Sequence, residues 1–348
     1  MAPTTQKALY LPQKFGDYTV GDIPVPKPGK GEVLLKVIAT SLNPVDWKIK
    51  KYGIFLEKFP ALLGTDIAGV VEELGEGVTE WKQGDKVFIQ GQFINDYASF
   101  QQYALAIGST LARIPDNISF EQAATLPVAL SAAYTGLYQK NPDGAGLTPP
   151  TSPSTEGIYK GTPLVVLGGA SSVGQCVIQL AKISGFSPII TTASLSNKDY
   201  LESLGATHVF DRKTPAAELK TQLAGVTSVP IKYVFDSISI EATQTVGLEL
   251  LAPGGQLVTV LPPAVKAVDG KEFRPVLGLL RAPNQIELMT TLYHDLISGW
   301  LAKGVFKTNA VEVLPNGLNG IIDGLNRMAR DEISKLKLVA RPQETPSA

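Results

Sequence analysis

Apolar positions along this chain follow two different rhythms. Up to about residue 125 they come in short, β-branched stretches cut by Gly and Pro. "GEVLLKVIATSL" (31–42), "DIAGVVEELGEGV" (66–78) and "GDKVFI" (84–89) each read as a strand beside a turn, so this section is predicted to be mainly β. The period then lengthens in "SFEQAATLPVALSAAYTGLYQK" (119–140): Ser119 starts a helix, Glu121 sits in its first turn, and helical apolar spacing follows Pro127. Next comes "NPDGAGLTPPTSPSTEGIYKG" (141–161), whose composition predicts a flexible surface loop, with a lid or partner contact as the functional alternative.

From Thr162 strand and helix patterns alternate. "TPLVVLGG" is a strand, "SSVGQCVIQLAKISG" a helix, "PIITTAS" a strand and "NKDYLESLG" a helix. "HVFD", a helix through the 220s, "IKYVFDS", a helix over "EATQTVGLELLAPGG" and the strand "QLVTVLP" continue the series. Such alternation means βαβ units, a parallel sheet and a doubly wound α/β domain. The tail adds two amphipathic helices, "HDLISGWLAKG" and "LNGIIDGLNRMARDEI", and a last strand, "SKLKLVARP". No internal repeat is visible.

The segment richest in chemistry is "VVLGGASSVGQCVIQLAK" (165–182). A buried strand runs into Gly168 and Gly169, then Ala170, Ser171, Ser172, Val173 and Gly174, and then a helix with an apolar face. Small residues let the backbone approach a pyrophosphate, whose charge suits the free N–H groups of a helix start. Gly174 allows that helix to pack closely on the sheet. A merely tight βα turn is the alternative. The strand–loop–helix context and the βα units that follow favour a dinucleotide.

The next strand bears on which nucleotide. NAD sites place Asp or Glu at its end, on the ribose 2′-OH. Here "IITTASLSNKD" offers Ser194, Ser196, Asn197 and Lys198 instead, hydroxyls and a cation that suit a 2′-phosphate and hence NADPH. Ser196 or Asn197 also fits as the cap of the following helix. Arg212, after the third strand, either covers the adenine or phosphate or is a free surface arginine.

Composition then narrows the classes. With 348 residues, two domains are expected; 44% apolar and 18% charged residues suit a well-packed globular protein. A net charge of -1 with no basic stripe argues against nucleic acid. No apolar run is long enough to span a bilayer, and the start "MAPTTQKALYLPQKFG" lacks the pattern of a secretory signal. Cys176 is the single cysteine, so no intramolecular disulfide can form and a cytoplasmic setting is expected. With His208 and His294 as the only histidines, a His/Cys zinc site is not expected.

With these residues assembled, the chain resembles the medium-chain dehydrogenase/reductase superfamily over essentially its whole length. "LNPVDWK" (42–48), "LLGTDIAGVVEELGEGVTEWKQGDKV" (62–87), "IPDNISFEQAATLPVALSAAYTGL" (114–137), the glycine loop and "GLNRMARDEISKLKLV" carry the similarity. The resemblance implies a β-rich, GroES-like catalytic domain from both chain ends (1–125 and 286–348) around a Rossmann NADPH-binding domain (126–285), with the active site in the cleft. Zinc alcohol dehydrogenases of the superfamily carry a Cys early in the first lobe and a Gly-His-Glu segment. This chain has Asn43, Val45 and Asp46 in the first region and Gly64, Thr65 and Asp66 in the second. It therefore looks like the zinc-independent branch of quinone oxidoreductases and enoyl reductases, and most like fungal trans-acting enoyl reductases of polyketide pathways.

The expected activity is hydride transfer from NADPH to the activated C=C bond of an enone, enal or enoyl thioester. Conjugate reduction asks less of the protein than alcohol oxidation without a Lewis acid: it must orient the nucleotide, polarise a carbonyl and exclude water. An NADPH quinone oxidoreductase and a non-catalytic NADPH-binding protein are the alternatives. Lys48, Tyr52 and Tyr134 are the candidate catalytic groups; an exposed lysine, an aromatic wall and core packing are the respective alternatives. Asn43 and Asp46 either fix loop geometry or hydrogen-bond the nucleotide, and Asp46 as a general acid requires a strongly raised pKa. By the resemblance, the nucleotide shell takes in Val45, Asp46 and Lys48, the run Gly168 to Gly174, Ser194, Ser196, Asn197, Lys198, Arg212, Leu261, Pro262, Ile333 and Ser334. A polyketide megasynthase is the possible protein partner implied, and the chain is expected to be a monomer or homodimer.

Overall fold

A computed structural model describes residues 2–346. The chain divides into two units: residues up to Val128 with those from Met289 onward, and Ala129–Leu288. The sequence boundaries at 125/126 and 285/286 lie three residues from these.

The first unit opens with β1 (Thr5–Leu11), β2 (Thr19–Pro24), β3 (Glu32–Ser41), α1 (Pro44–Tyr52), β4 (Ala61–Leu62), β5 (Asp66–Leu74), β6 (Lys86–Gln90), β7 (Tyr103–Ile107), β8 (Ala112–Arg113) and α2 (Phe120–Ala124). Ser119 caps α2 by accepting from the Gln122 N–H, while the Gln122 side chain accepts from the Ser119 N–H. The helix α3 (Pro127–Tyr138) leads on.

The second unit contains β9 (Leu164–Leu167), α4 (Ser172–Ser184), β10 (Ile189–Ala193), α5 (Lys198–Leu204), β11 (His208–Asp211), α6 (Ala216–Val226), β12 (Tyr233–Asp236), α7 (Glu241–Leu250), β13 (Gly255–Thr259) and β14 (Lys271–Pro275). The chain returns to the first unit through α8 (Ile286–Thr290), α9 (Ile297–Ala302), β15 (Ala310–Val313), α10 (Leu318–Ala329) and β16 (Leu336–Ala340).

The six strands of the second unit lie in the order β11-β10-β9-β12-β13-β14, every pair parallel. This is the doubly wound order, with its reversal between β9 and β12, and the crevice at the carboxyl ends of those strands is where such sheets bind ligands. The sheet core of Val165, Leu167, Ile190, Leu219, Val234 and Leu257 is fixed by near-continuous apolar runs, as strands covered on both faces require.

The first unit is built on a sheet in the order β15-β16-β3-β5-β6-β8, with β7 also paired to β3. Strand β16 joins β3 antiparallel, Val339 opposite Ser41, so a strand from the chain's far end completes the sheet begun by its start. Leu9, Leu42, Ile49, Phe100, Leu318, Ile321, Leu325 and Leu338 share one apolar core. Both ends of the sequence are therefore needed to bury it.

Two local expectations change, and one strand was unforeseen. Strand β14 was not legible, because Lys271–Pro275 is a half-exposed, charged edge strand without an apolar run. The "NPVDWK" stretch is a helix, not a loop: Pro44 occupies its first turn, where a missing N–H costs nothing. The 141–161 segment is not a free loop. Its Ala145 and Leu147 are buried, and Tyr159 stacks on Phe186 with centroids 4.6 Å apart while accepting from the Thr148 N–H at 2.6 Å. A composition rich in Pro and Ser hides one aromatic anchor. Among the described residues, no helix is long and apolar enough to cross a membrane.

Candidate active site

In the second unit, the turn between β9 and α4 is shaped by three glycines with different duties. Gly168 has φ +79°, a left-handed conformation that favours glycine. A Cβ on Gly169 would lie 2.1 Å from Thr191 Oγ1, and one on Gly174 would lie 2.5 Å from the Gly168 carbonyl oxygen. Ser171 caps α4, its Oγ accepting from the Gly174 N–H at 3.0 Å and donating to Ser237 Oγ at 3.0 Å. Ser237 Oγ lies 2.6 Å and 2.9 Å from the carbonyl oxygens of Leu167 and Gly168, so β12 braces the turn. Ala170, Ser171, Ser172 and Val173 remain part-exposed. A helix start whose residues 170–173 are part-exposed, at the switch point of a parallel sheet, fits a diphosphate.

At the end of β10, Ser196 and Lys198 are exposed, Ser194 is half-buried and Asn197 is buried. The capping alternative is not realised, since Asn197 makes no side-chain cap bond to α5. Lys198 is 3.9 Å from Glu202, one turn further along α5. Arg212 is exposed, and its backbone N–H donates to the Ala193 carbonyl at 2.9 Å, which puts Arg212 next to the end of β10. Leu261 and Pro262 follow β13. Their turn is held by Gln244, unforeseen from sequence, whose Nε2 donates to the Pro262 carbonyl at 3.0 Å and whose Oε1 accepts from the Ala264 N–H at 2.7 Å.

Tyr134 packs as core. It has no exposed surface, its ring meets Tyr138 edge-on at 4.7 Å, its hydroxyl has no hydrogen-bond partner among the described residues, and burial pushes that hydroxyl far above the usual tyrosine value. A phenol held this way is a poor proton donor to a substrate, so its expected catalytic role is withdrawn. Cys176 is buried, as its place on the apolar face of α4 implies.

In the first unit, α1 organises the remaining candidates. Asn43 is extended (φ −127°, ψ 153°), as a residue before proline should be. Its backbone N–H donates to Asp46 Oδ2 at 2.8 Å. Asp46 is wholly buried, and burial, reinforced by the charge of Asp66, pushes its carboxyl up to about 7 against the pull of the Asn43 N–H and the Lys337 ammonium. Val45 and Lys48 are half-buried on the same helix, and burial pulls the Lys48 ammonium down. Lys48 Nζ lies 5.6 Å from the Trp47 ring, whose centroid is 6.1 Å from that of Tyr52. Lys48 and Tyr52 are thus brought together around Trp47, and Tyr52 is 54% exposed. Phe55, three residues on, is 67% exposed. Ile333 packs against the core of the unit and Ser334 is exposed.

Sequence reasoning missed the centre of this region. Asp66 Oδ2 accepts from Lys337 Nζ at 2.7 Å, from Asn43 Nδ2 at 2.8 Å and from Ser41 Oγ, and Asp66 Oδ1 accepts from the Val128 N–H at 2.7 Å. Lys337 Nζ also donates to Asn43 Oδ1 at 2.6 Å. Residues 43 and 66 come from the two stretches that would carry zinc ligands in the alcohol dehydrogenases, and here they bond to each other and to one ammonium. Among the described residues, no group of three or more His, Cys, Asp or Glu could hold a metal ion. The donors present do not fit zinc.

The chain matches the "Alcohol dehydrogenase GroES-like domain" family over residues 29–116 and the "Zinc-binding dehydrogenase" family over residues 172–271. It is 32% identical to Dehydrogenase orsE of Emericella nidulans, the match covering 96% of this chain and 99% of that protein. The chain belongs to the medium-chain dehydrogenase/reductase superfamily. This superfamily oxidoreductase is also 32% identical to Trans-enoyl reductase himH of Aspergillus japonicus, over 97% of its own length and 98% of the other. Among solved structures it is similar to mycobacterial Rv1454c complexed with NADPH, at a TM-score of 0.77 and 20% identity, covering 97% of this chain and all (100%) of that one.

Proposed function

We propose that this chain is an NADPH-dependent, zinc-independent reductase of the activated C=C bond of an enone, enal or enoyl thioester. The observation that carries the reading is the glycine turn at the switch point of the parallel sheet, followed by a β10 end that offers Ser194, Ser196 and Lys198 and no carboxylate. The backbone from Gly168 to Gly174 would hold the diphosphate; Ser194, Ser196, Asn197 and Lys198, with Arg212, would hold the 2′-phosphate. Bound NADPH supplies the hydride. The relative named a trans-enoyl reductase, and the solved neighbour with NADPH, support both the reaction class and the nucleotide.

On the substrate side Lys48 is the best-suited polarising group. Its half-buried ammonium donates hydrogen bonds, and a partly desolvated donor stabilises the negative charge that develops on a carbonyl oxygen more strongly than one in water. Tyr52, exposed beside Trp47, would close the carbonyl's surroundings or relay the α-carbon proton. Asp46 stores a proton near neutrality but is sealed from solvent, so it acts on α1 and not on substrate. With a relative named for trans action, a protein-borne substrate on a polyketide megasynthase is the partner this reading implies.

Consumption of NADPH against a panel of 2-enones, 2-enals, enoyl thioesters and quinones, with and without a zinc chelator, tests it. Turnover of an enone, enal or enoyl thioester that survives the chelator is expected. Turnover of quinones alone would make it a quinone oxidoreductase, binding without turnover would make it a nucleotide-binding protein, and loss of activity on chelation would overturn the zinc-free chemistry.

A further inference from the structure

Among the described residues Lys337 is the only lysine or arginine in the buried class, with 3% of its surface exposed. Burying an ammonium is expensive, and even a well-made internal ion pair commonly adds no stability over apolar residues of the same size. Stability alone therefore gives no reason for this residue. Its geometry gives one. Two of the three ammonium N–H groups are committed, one to Asn43 Oδ1 at 2.6 Å and one to Asp66 Oδ2 at 2.7 Å. Asn43 is the cap of α1 and also donates to Asp66, and its backbone N–H holds Asp46 in the first turn.

Lys337 itself lies on β16, three residues after Ser334. One ammonium thus ties together the two stretches of this unit expected at the nucleotide: the start of α1, leading into Val45, Asp46 and Lys48, and the connection carrying Ile333 and Ser334. The tie spans 294 residues of sequence.

We propose that Lys337 is a positioning residue for the nucleotide, a built-in cation around which Asn43 and Asp66 fix the start of α1 relative to the 333–334 connection. It rests on the reading that these stretches meet NADPH. Lys337 touches neither nucleotide nor substrate and acts through Asn43. The apolar alternative, Met or Leu, would fill the space without setting the register of the helix cap.

The test compares Lys337→Met, the charge-free pair Asp66→Asn/Lys337→Met and the wild type. Amide exchange at 45–48 in nucleotide-free protein should rise about tenfold in Lys337→Met, and the Kd for NADPH should rise by at least about tenfold. The paired variant leaves no lone buried charge. It should recover the melting temperature of the wild type yet keep the weakened NADPH binding, because the tie from β16 to Asn43 is still gone. If Lys337→Met does not fold, the paired variant gives the same comparison. Unchanged exchange at 45–48, or wild-type NADPH affinity in either folded variant, overturns the proposal. Failure of the wild type to bind NADPH overturns the proposed function instead, and the exchange comparison still judges the tie.

Discussion

The carbonyl oxygen of Gly168 lies 2.5 Å from the point a Cβ on Gly174 would occupy. No real side chain tolerates that distance, and the obstacle is backbone, so α4 can approach the end of β9 only with glycine at 174. Gly174→Val should therefore push the helix start away from the turn that would hold the diphosphate. NADPH affinity, followed by fluorescence titration, should fall by more than about tenfold while the far-ultraviolet dichroism stays that of the wild type. Binding within twofold of the wild type would break the link between this turn and the nucleotide.

The end of β10 makes a separate prediction. A carboxylate at Ser194 would repel a 2′-phosphate and accept from a ribose 2′-OH. Ser194→Asp should lower the NADPH-to-NADH ratio of kcat/KM by an order of magnitude or more, on the order of 1.4 kcal/mol per factor of ten. A ratio unmoved by the substitution would remove residue 194 from the nucleotide site.

Asp46 predicts a pH effect on stability. Its folded value of about 7 stands above its ordinary 3.8, so the folded chain holds the proton more tightly than the unfolded one. The contribution is whole below about pH 4 and is lost as the pH rises through about 7. Asp46→Asn cannot ionise, and should gain stability over the wild type on going from pH 5 to pH 8, by on the order of 1–3 kcal/mol. Urea midpoints of both proteins at the two pH values measure this. An equal difference at both would mean the carboxyl is already ionised in the fold.

Tyr134 separates packing from chemistry. Its buried hydroxyl lacks a partner, so Tyr134→Phe removes an unsatisfied polar group without opening a cavity. The variant should be as stable as the wild type or up to about 1 kcal/mol more so, with NADPH consumption unchanged. A loss of turnover with intact stability would restore the catalytic role.

Much of the architecture could be read in one dimension because it depends on local periodicity. The strand–helix alternation after Thr162 needs no distant contact to be recognised, and the Gly168, Gly169 and Gly174 spacing carries its own steric meaning. Strand β14 escaped because an edge strand needs no apolar run, and the 141–161 segment misled because Tyr159 anchors it with a single ring. The helix α1 was hidden in a short, mostly polar stretch whose start depends on Asn43 and Asp46.

The sequence by itself determined the class of each half, the glycine turn and the lack of a histidine and cysteine set for zinc, since these follow from which residues stand within a few positions of one another. Tertiary structure alone decided that Lys337 meets Asn43 and Asp66, that Asp46 is sealed, and that Tyr134 faces core and not solvent. The physical reason is that burial and charge pairing act across space. A lysine near the chain's end looks like any surface lysine until β16 pairs with β3 and carries it beside the cap of α1.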